Sequence, residues 1–272
     1  MGNIWDFGQQ KRLEKENNMA LSSLPFLIFI GILPSIVWLL FFLRKDVHPE
    51  PNSMVVKIFI FGALSTIPAL FIELGIREHL NSYFENYNLI ELLSICIFAP
   101  VVEEMMKYLV VRDKVLKSPE LDEPADLILY MIIAALGFAA IENTFQILQF
   151  ENLPPALFAS FFRFWGAIFL HALCSGLIGY FLALSFFFIK KEIMFQTLGF
   201  GLAFFLHGLF NFSIIKIGEK GIWLKEGEVV ISKIPVFSFY FALICSILIG
   251  LAIFVSSGFK RLEKTKGICK II

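Results

Sequence analysis

Seven stretches of this chain stay apolar for as long as a helix needs to cross a bilayer, at about 24–43, 54–76, 89–111, 126–149, 156–189, 194–215 and 235–257. Backbone N–H and C=O groups in hydrocarbon must be satisfied within the spanning structure, and these runs lack the two-residue alternation of barrel strands. The expected fold is therefore all-α, a polytopic transmembrane helical bundle of about seven spans. Composition agrees, since 58% of the residues are hydrophobic and 33 of the 272 are Phe, far more than a soluble domain carries. The fifth run is too long for one upright helix, which predicts a tilt, a kink or an interfacial turn near Pro154-Pro155.

The connecting segments are short, without a Gly/Ser-rich linker, a low-complexity tract or a repeat, so one transmembrane domain is expected at 24–257. It lies between an N-terminal tail at 1–23 and a basic C-terminal tail at 258–272. Ile4, Trp5, Phe7 and Leu13, interleaved with Lys and Glu, can form a helix on the membrane surface or remain a disordered tail. The first apolar run is longer than a signal-peptide core and has no small-residue cleavage site after it, so it is expected to be a retained span. In the longest loop, Trp223 to Val230 can fold as a hairpin around Glu226-Gly227 or stay a plain loop.

Charge is balanced, 23 Lys+Arg against 23 Asp+Glu, which gives no argument for a nucleic-acid partner. Lys and Arg outside the spans are more numerous on the side opposite the N-terminus, where Lys260, Arg261, Lys264, Lys266 and Lys270 close the chain. The positive-inside rule then favours an outside N-terminus and a cytoplasmic C-terminus for a multi-pass protein of the cell membrane. Lys11, Arg12 and Lys15 pull the other way. Cys96, Cys174, Cys245 and Cys269 have no metal-binding spacing and read as small hydrophobes.

Ionisable residues inside these runs are costly and normally face the bundle interior. In the third run, Glu103, Glu104 and Lys107 share one helix face at spacings of three and four. The lysine can neutralise one glutamate, and two carboxylates this close cannot easily both ionise in a low dielectric, which prepares acid and base roles in one turn. The plainer reading is a charged helix end with Lys107 snorkelling to the interface. In the fourth run Phe138 and Glu142 share a face, with Asn143 beside them and Gly137, Ala139 and Ala140 allowing close helix contact. Arg163 or Lys107 is the expected partner of Glu142. The fifth run places His171 with Ser175, and the sixth places His207 with Asn211, each pair four apart. A lone histidine on an apolar face is usually a hydrogen-bonded core residue, but these polar groups on four helices can converge as bundle-core sites do.

Such a set supplies a general base, a hydrogen-bonding acid and oxyanion donors, as a peptidase needs. Glu103, His171 and His207 can also hold a divalent metal such as zinc, which at catalytic sites takes three ligands of these types. The chain has no His-Glu-x-x-His helix, so the metal is permitted rather than demanded. The same buried groups can alternatively form a proton or cation relay in a non-proteolytic membrane protein.

From the first run to the sixth, the chain resembles the PrsW family of intramembrane proteases, within the larger group that includes the type II prenyl-protein (CAAX) proteases. The family's paired-glutamate motif is similar to Glu103-Glu104-x-x-Lys107, its Phe-x-x-x-Glu-Asn motif to Phe138–Asn143, and its histidine helices to His171 and His207-Gly208-x-x-Asn211. Pro34, Trp38, Asp46, Pro49-Glu50-Pro51, Glu123-Pro124 and Asp126 fit the family's order and spacing. The resemblance implies an endopeptidase that cuts a membrane-anchored protein, of the anti-sigma-factor type, with glutamate- and histidine-activated water. It implies Glu103 as the base, Glu142 as a second polar catalytic group and His207 with Asn211 for the oxyanion. Glu104 and His171 complete the catalytic set, with Lys107, Phe138, Asn143 and Arg163 in support. Two departures separate the chain from CAAX enzymes. They carry Arg one residue beyond Lys107 and His where Glu142 stands, so their substrate and exact mechanism do not transfer. An immunity-type binding protein that keeps the site without cleaving is a further alternative.

Overall fold

A computed structural model describes residues 4–45, 48–150, 152–220, 222–225, 228–231 and 234–264, with side chains placed from Leu24 onward outside 219–233. Among the described residues nine α-helices follow one another: α1 Ile4–Leu43, α2 Asn52–Tyr83, α3 Tyr87–Leu93, α4 Ala99–Lys114, α5 Pro124–Ile147, α6 Leu153–Trp165, α7 Ala167–Phe187, α8 Glu192–Lys220 and α9 Ile234–Leu262. Between α8 and α9 the strands β1 Ile222–Lys225 and β2 Glu228–Ile231 pair antiparallel, with Trp223 opposite Val230, so the longest loop is the hairpin rather than a plain loop. Asp46, the Glu226-Gly227 turn, Lys266, Cys269 and Lys270 lie outside the described residues.

Among the described residues six stretches are long and apolar enough to span a membrane: Leu24–Leu43, Asn52–Tyr83, Pro124–Ile147, Leu153–Phe187, Ile189–Gly218 and Ile234–Leu262. The third expected run, at about 89–111, is helical too, as α3, a π-helical turn at Ser94–Phe98 and α4. It differs because Glu103, Glu104 and Lys107 stand in its middle. Helix α5 is buried nearly all round, which is why its sequence is apolar on every face. It starts at a capping box in which Glu123 and Asp126 satisfy each other's backbone N–H, with Pro124 in the first turn.

The other spans pack around α5 through small residues. A Cβ at Gly62 of α2 would fall on the Ala134 carbonyl, and one at Gly137 of α5 on the Phe59 carbonyl, so α2 and α5 approach backbone to backbone. Gly208 of α8 meets the Cys96 carbonyl of the π turn in the same way. Trp38 ties α1 to the sixth and seventh helices: its indole N–H donates to the Phe164 carbonyl (2.8 Å), and its ring stacks on Phe169 at 4.2 Å. The long fifth run does break, but at Gly166, with φ −102° and ψ −97°, and not near Pro154-Pro155. Those prolines sit in the first turn of α6, where missing N–H donors cost nothing. The break leaves Arg163 one turn before, and His171 one turn after, a change of helix direction.

Candidate active site

The buried end of the site is built on α4. Glu104 and Lys107, three apart, form an ion pair with Oε1 and Nζ 2.7 Å apart, and both are 0% exposed. Lys107 is therefore a core residue and does not snorkel. Glu104 Oε1 also accepts from His207 Nδ1 (3.1 Å), and its Oε2 accepts from Ser175 Oγ (2.5 Å). Helices α4, α7 and α8 are thus joined through one saturated carboxylate. Lys107 Nζ lies 2.8 Å from His171 Nδ1 and 4.7 Å from the Phe138 ring centre, a cation–π contact in a dry interior.

These hydrogen bonds fix both histidine tautomers. An ammonium can only donate, so His171 Nδ1 accepts from Lys107 and carries its proton on Nε2. A carboxylate can only accept, so His207 Nδ1 donates to Glu104 and leaves the Nε2 lone pair free. Glu103, one residue from Glu104 and so turned to another side of α4, meets these groups from the front. Its Oε2 is buried and makes no hydrogen bond among the described residues. Around that oxygen stand Lys107 Nζ at 3.7 Å, His171 Nδ1 at 3.6 Å and His207 Nε2 at 3.7 Å, all beyond hydrogen-bonding distance.

Helices α5 and α6 supply the opposite wall. Arg163 forks, with Nη2 donating to Glu142 Oε1 (2.7 Å) and Nε to Asn143 Oδ1 (2.7 Å). Arg163, not Lys107, is the partner of Glu142. Asn143 also donates from Nδ2 to the Gly31 carbonyl of α1 (2.6 Å), so it braces three helices. Glu142 Oε2 lies 2.7 Å from His171 Nε2. Asn211 on α8 donates to the Ile95 carbonyl (3.0 Å), a group of the π turn; such turns recur at functional sites.

All these helices border one cavity of about 830 Å³, lined among others by Glu103, Glu142, Arg163, His171, His207 and Asn211. The structure brings these six together around shared space, while Glu104, Lys107 and Asn143 stand behind them. Two participants lie outside the expected set. Ser175 holds Glu104 from α7, at the spacing of four from His171 noted in the sequence. Glu73 of α2 also borders the cavity, and its signal was the one used for the other carboxylates, an acid inside an apolar run.

Glu103, His171 and His207 each offer a donor atom, and these atoms lie within 4.8 Å of one another. Glu103 Oε2 lacks a protein partner, and His207 carries the carboxylate-anchored Nδ1–H usual for a metal-bound imidazole. The donor types suit zinc: Glu103 Oε2 and His207 Nε2 offer lone pairs to a divalent metal, and His171 would join them on giving up Lys107 at Nδ1.

Comparison with known proteins points to one family. The description "PrsW family intramembrane metalloprotease" matches residues 50–262. Protease PrsW of Geobacillus kaustophilus is 30% identical over 199 residues, covering 73% of this chain and 84% of that protein. Protease PrsW of Oceanobacillus iheyensis is 30% identical over 185 residues, 67% of this chain and 80% of that protein. That of Bacillus subtilis is 27% identical over 198 residues, covering 71% and 84%. No solved structure matches. The chain belongs to the PrsW family and is a multi-pass membrane peptidase.

Proposed function

We propose that this member of the PrsW family hydrolyses a peptide bond of a membrane-anchored protein with Glu103 as the catalytic base. One observation carries the reading: Glu103 Oε2, buried and without a hydrogen bond, faces both histidines at the wall of the cavity. A carboxylate in that state is free to take a proton from water while the water oxygen adds to the scissile carbonyl carbon. His171 Nε2–H, with its proton held there by Lys107 at Nδ1, donates to the oxyanion. Asn211 spends one amide N–H on Ile95 and keeps the second for the same oxyanion. When the C–N bond breaks, Glu103 returns its proton to the leaving nitrogen and is a carboxylate again. Glu142, clamped by Arg163, orients His171 from the cavity side. Glu104, saturated by Lys107, His207 and Ser175, holds the constellation together without exchanging protons.

Zinc or a similar divalent ion held by Glu103, His207 and a His171 released from Lys107 would supply Lewis-acid polarisation of the scissile carbonyl oxygen. Both uses of Glu103 require Oε2 to be uncommitted within the protein. The anti-sigma-factor type of substrate is supported by the family resemblance, and the transmembrane unit at 24–257 is the proposed catalytic domain. The basic residues Lys260, Arg261 and Lys264 support a cytoplasmic C-terminus.

The test is cleavage of a panel of single-span membrane proteins by the purified wild type, by Glu103→Gln and by wild type after exhaustive chelation. Products from wild type alone, restored to the chelated enzyme by zinc, support a metallopeptidase. Products that survive chelation but not Glu103→Gln support a metal-free glutamate mechanism. Cleavage by Glu103→Gln at near wild-type rate overturns the assignment.

A further inference from the structure

Glu73 is a carboxylate of the cavity that no cation of the described residues pairs with directly. It lies in α2, one turn before the polar end at Arg77, Glu78 and His79, and it borders the cavity together with Glu103 and Glu142. No hydrogen bond or ion pair reaches it among the described residues. Arg77, Arg163 and Lys107 each have partners of their own. Arg77, four residues on and on the same face of α2, turns away to donate to Tyr87 Oη (3.1 Å) and stack on that ring at 5.8 Å. Arg163 is forked between Glu142 and Asn143. Lys107 is held by Glu104 and His171.

An unpaired acid inside an apolar span is costly, and such residues are kept where they meet a ligand or an ion. Glu142 adds to the cost by repulsion, which Lys107 offsets in part without pairing to Glu73. A positive group arriving with the substrate would relieve both penalties at once, which turns a ground-state cost into discrimination between substrates. The chemistry of that group follows from what enters the cavity. Single-span membrane proteins carry Lys and Arg at the ends of their spans, on long apolar stems that reach along the bilayer boundary. Glu73 stands three residues before the end of the apolar run at 54–76, one helical turn ahead of Arg77 and Glu78 in α2.

We infer that Glu73 is a specificity-determining residue that receives a Lys or Arg flanking the substrate's transmembrane segment, beside the bond cut by Glu103. The inference rests on the peptidase reading of the same cavity. It gives Glu73 no part in proton transfer, so its effect falls on KM more than on kcat.

The experiment uses the full-length protein in lipid nanodiscs and a library of single-span peptides with Lys, Gln or Glu at each position flanking the span. Wild type is expected to favour Lys over Gln at one position by about tenfold in kcat/KM. Glu73→Gln should flatten that preference at nearly unchanged kcat, and Glu73→Lys should invert it toward Glu. A purely structural role would lower all three peptides alike. The preference of wild type needs no variant to fold, and its absence overturns the inference, as does a preference that survives Glu73→Gln. If wild type cuts none of the peptides, photo-cross-linked binding of the same library decides. A Glu73-dependent preference for Lys then upholds the inference while the peptidase reading fails, and uniform or absent binding overturns it.

Discussion

Glu103 and Glu104 are consecutive in the chain, yet they belong to regions built on opposite principles. Behind α4, among α7 and α8, every strong polar atom has its partner: Glu104 accepts from Lys107, His207 and Ser175 in a dry interior. In front, along the cavity, no hydrogen bond among the described residues reaches Glu103 Oε2 or Glu73, and Glu142 Oε2 is likewise unsatisfied. Burial alone does not separate them, since Glu103 is only 8% exposed against 0% for Glu104. Saturation does. A satisfied buried ion pair rigidifies helices and sets tautomers, whereas an unsatisfied buried carboxylate is a cost that persists where a substrate, proton or metal is to be met.

The contrast can be broken most strongly at His207, which spans both regions. His207→Ala removes the Nε2 lone pair from the cavity, and cleavage of a substrate protein should fall about 10²- to 10⁴-fold. Metal content measured on the same preparation shows whether a bound ion leaves with it. Lys107→Ala strikes the saturated region, leaving Glu104 as an uncompensated buried charge. Its unfolding free energy in detergent should drop by about 3–5 kcal/mol, and activity should be lost with it because His171 is freed to change tautomer. Unchanged stability would mean that the pair is not held in the dry interior seen here.

Ser175→Ala deletes a single charge-assisted hydrogen bond on the same side, for an expected loss of about 1.5–3 kcal/mol with cleavage largely retained in the fraction that stays folded. Arg163→Gln sharpens the comparison from the cavity side. The Arg163–Glu142 pair is partly exposed, so stability should shift by less than about 1 kcal/mol. The rate should nonetheless fall, since Glu142 loses the clamp that aims it at His171. A thermal shift larger than that for Ser175→Ala would place Arg163 among the structural groups.

Much of this division was legible in the sequence up to the level of helix faces. Spacings of three and four put Glu103, Glu104 and Lys107 on one side of a helix, and the apolar runs named the helices that meet there. The rotation of α4 about its own axis was not legible, because it is set by close contacts such as Gly208 against the Cys96 carbonyl. That rotation decides which glutamate turns inward. The break of the long fifth run followed the same logic. Prolines signal a turn, but at the start of a helix they fit without strain, and the direction changes at Gly166 instead. Glu73 carried the same signal as Glu142, a single acid in an apolar run, yet it stands next to the polar end of α2, where a helix terminus explains it equally well. Only the commitment of Arg77 to Tyr87 separates the two readings.

The most direct measurement is a side-by-side comparison of Glu103→Gln and Glu104→Gln, each assayed for thermal unfolding in detergent and for cleavage of one substrate protein. Glu103→Gln should melt like wild type and lose cleavage by about 10²-fold or more, while Glu104→Gln should melt well below wild type because Lys107 is left unpaired in the interior. The reverse pattern, a stable and inactive Glu104→Gln beside a destabilised Glu103→Gln that still cuts, would contradict the division of the two glutamates.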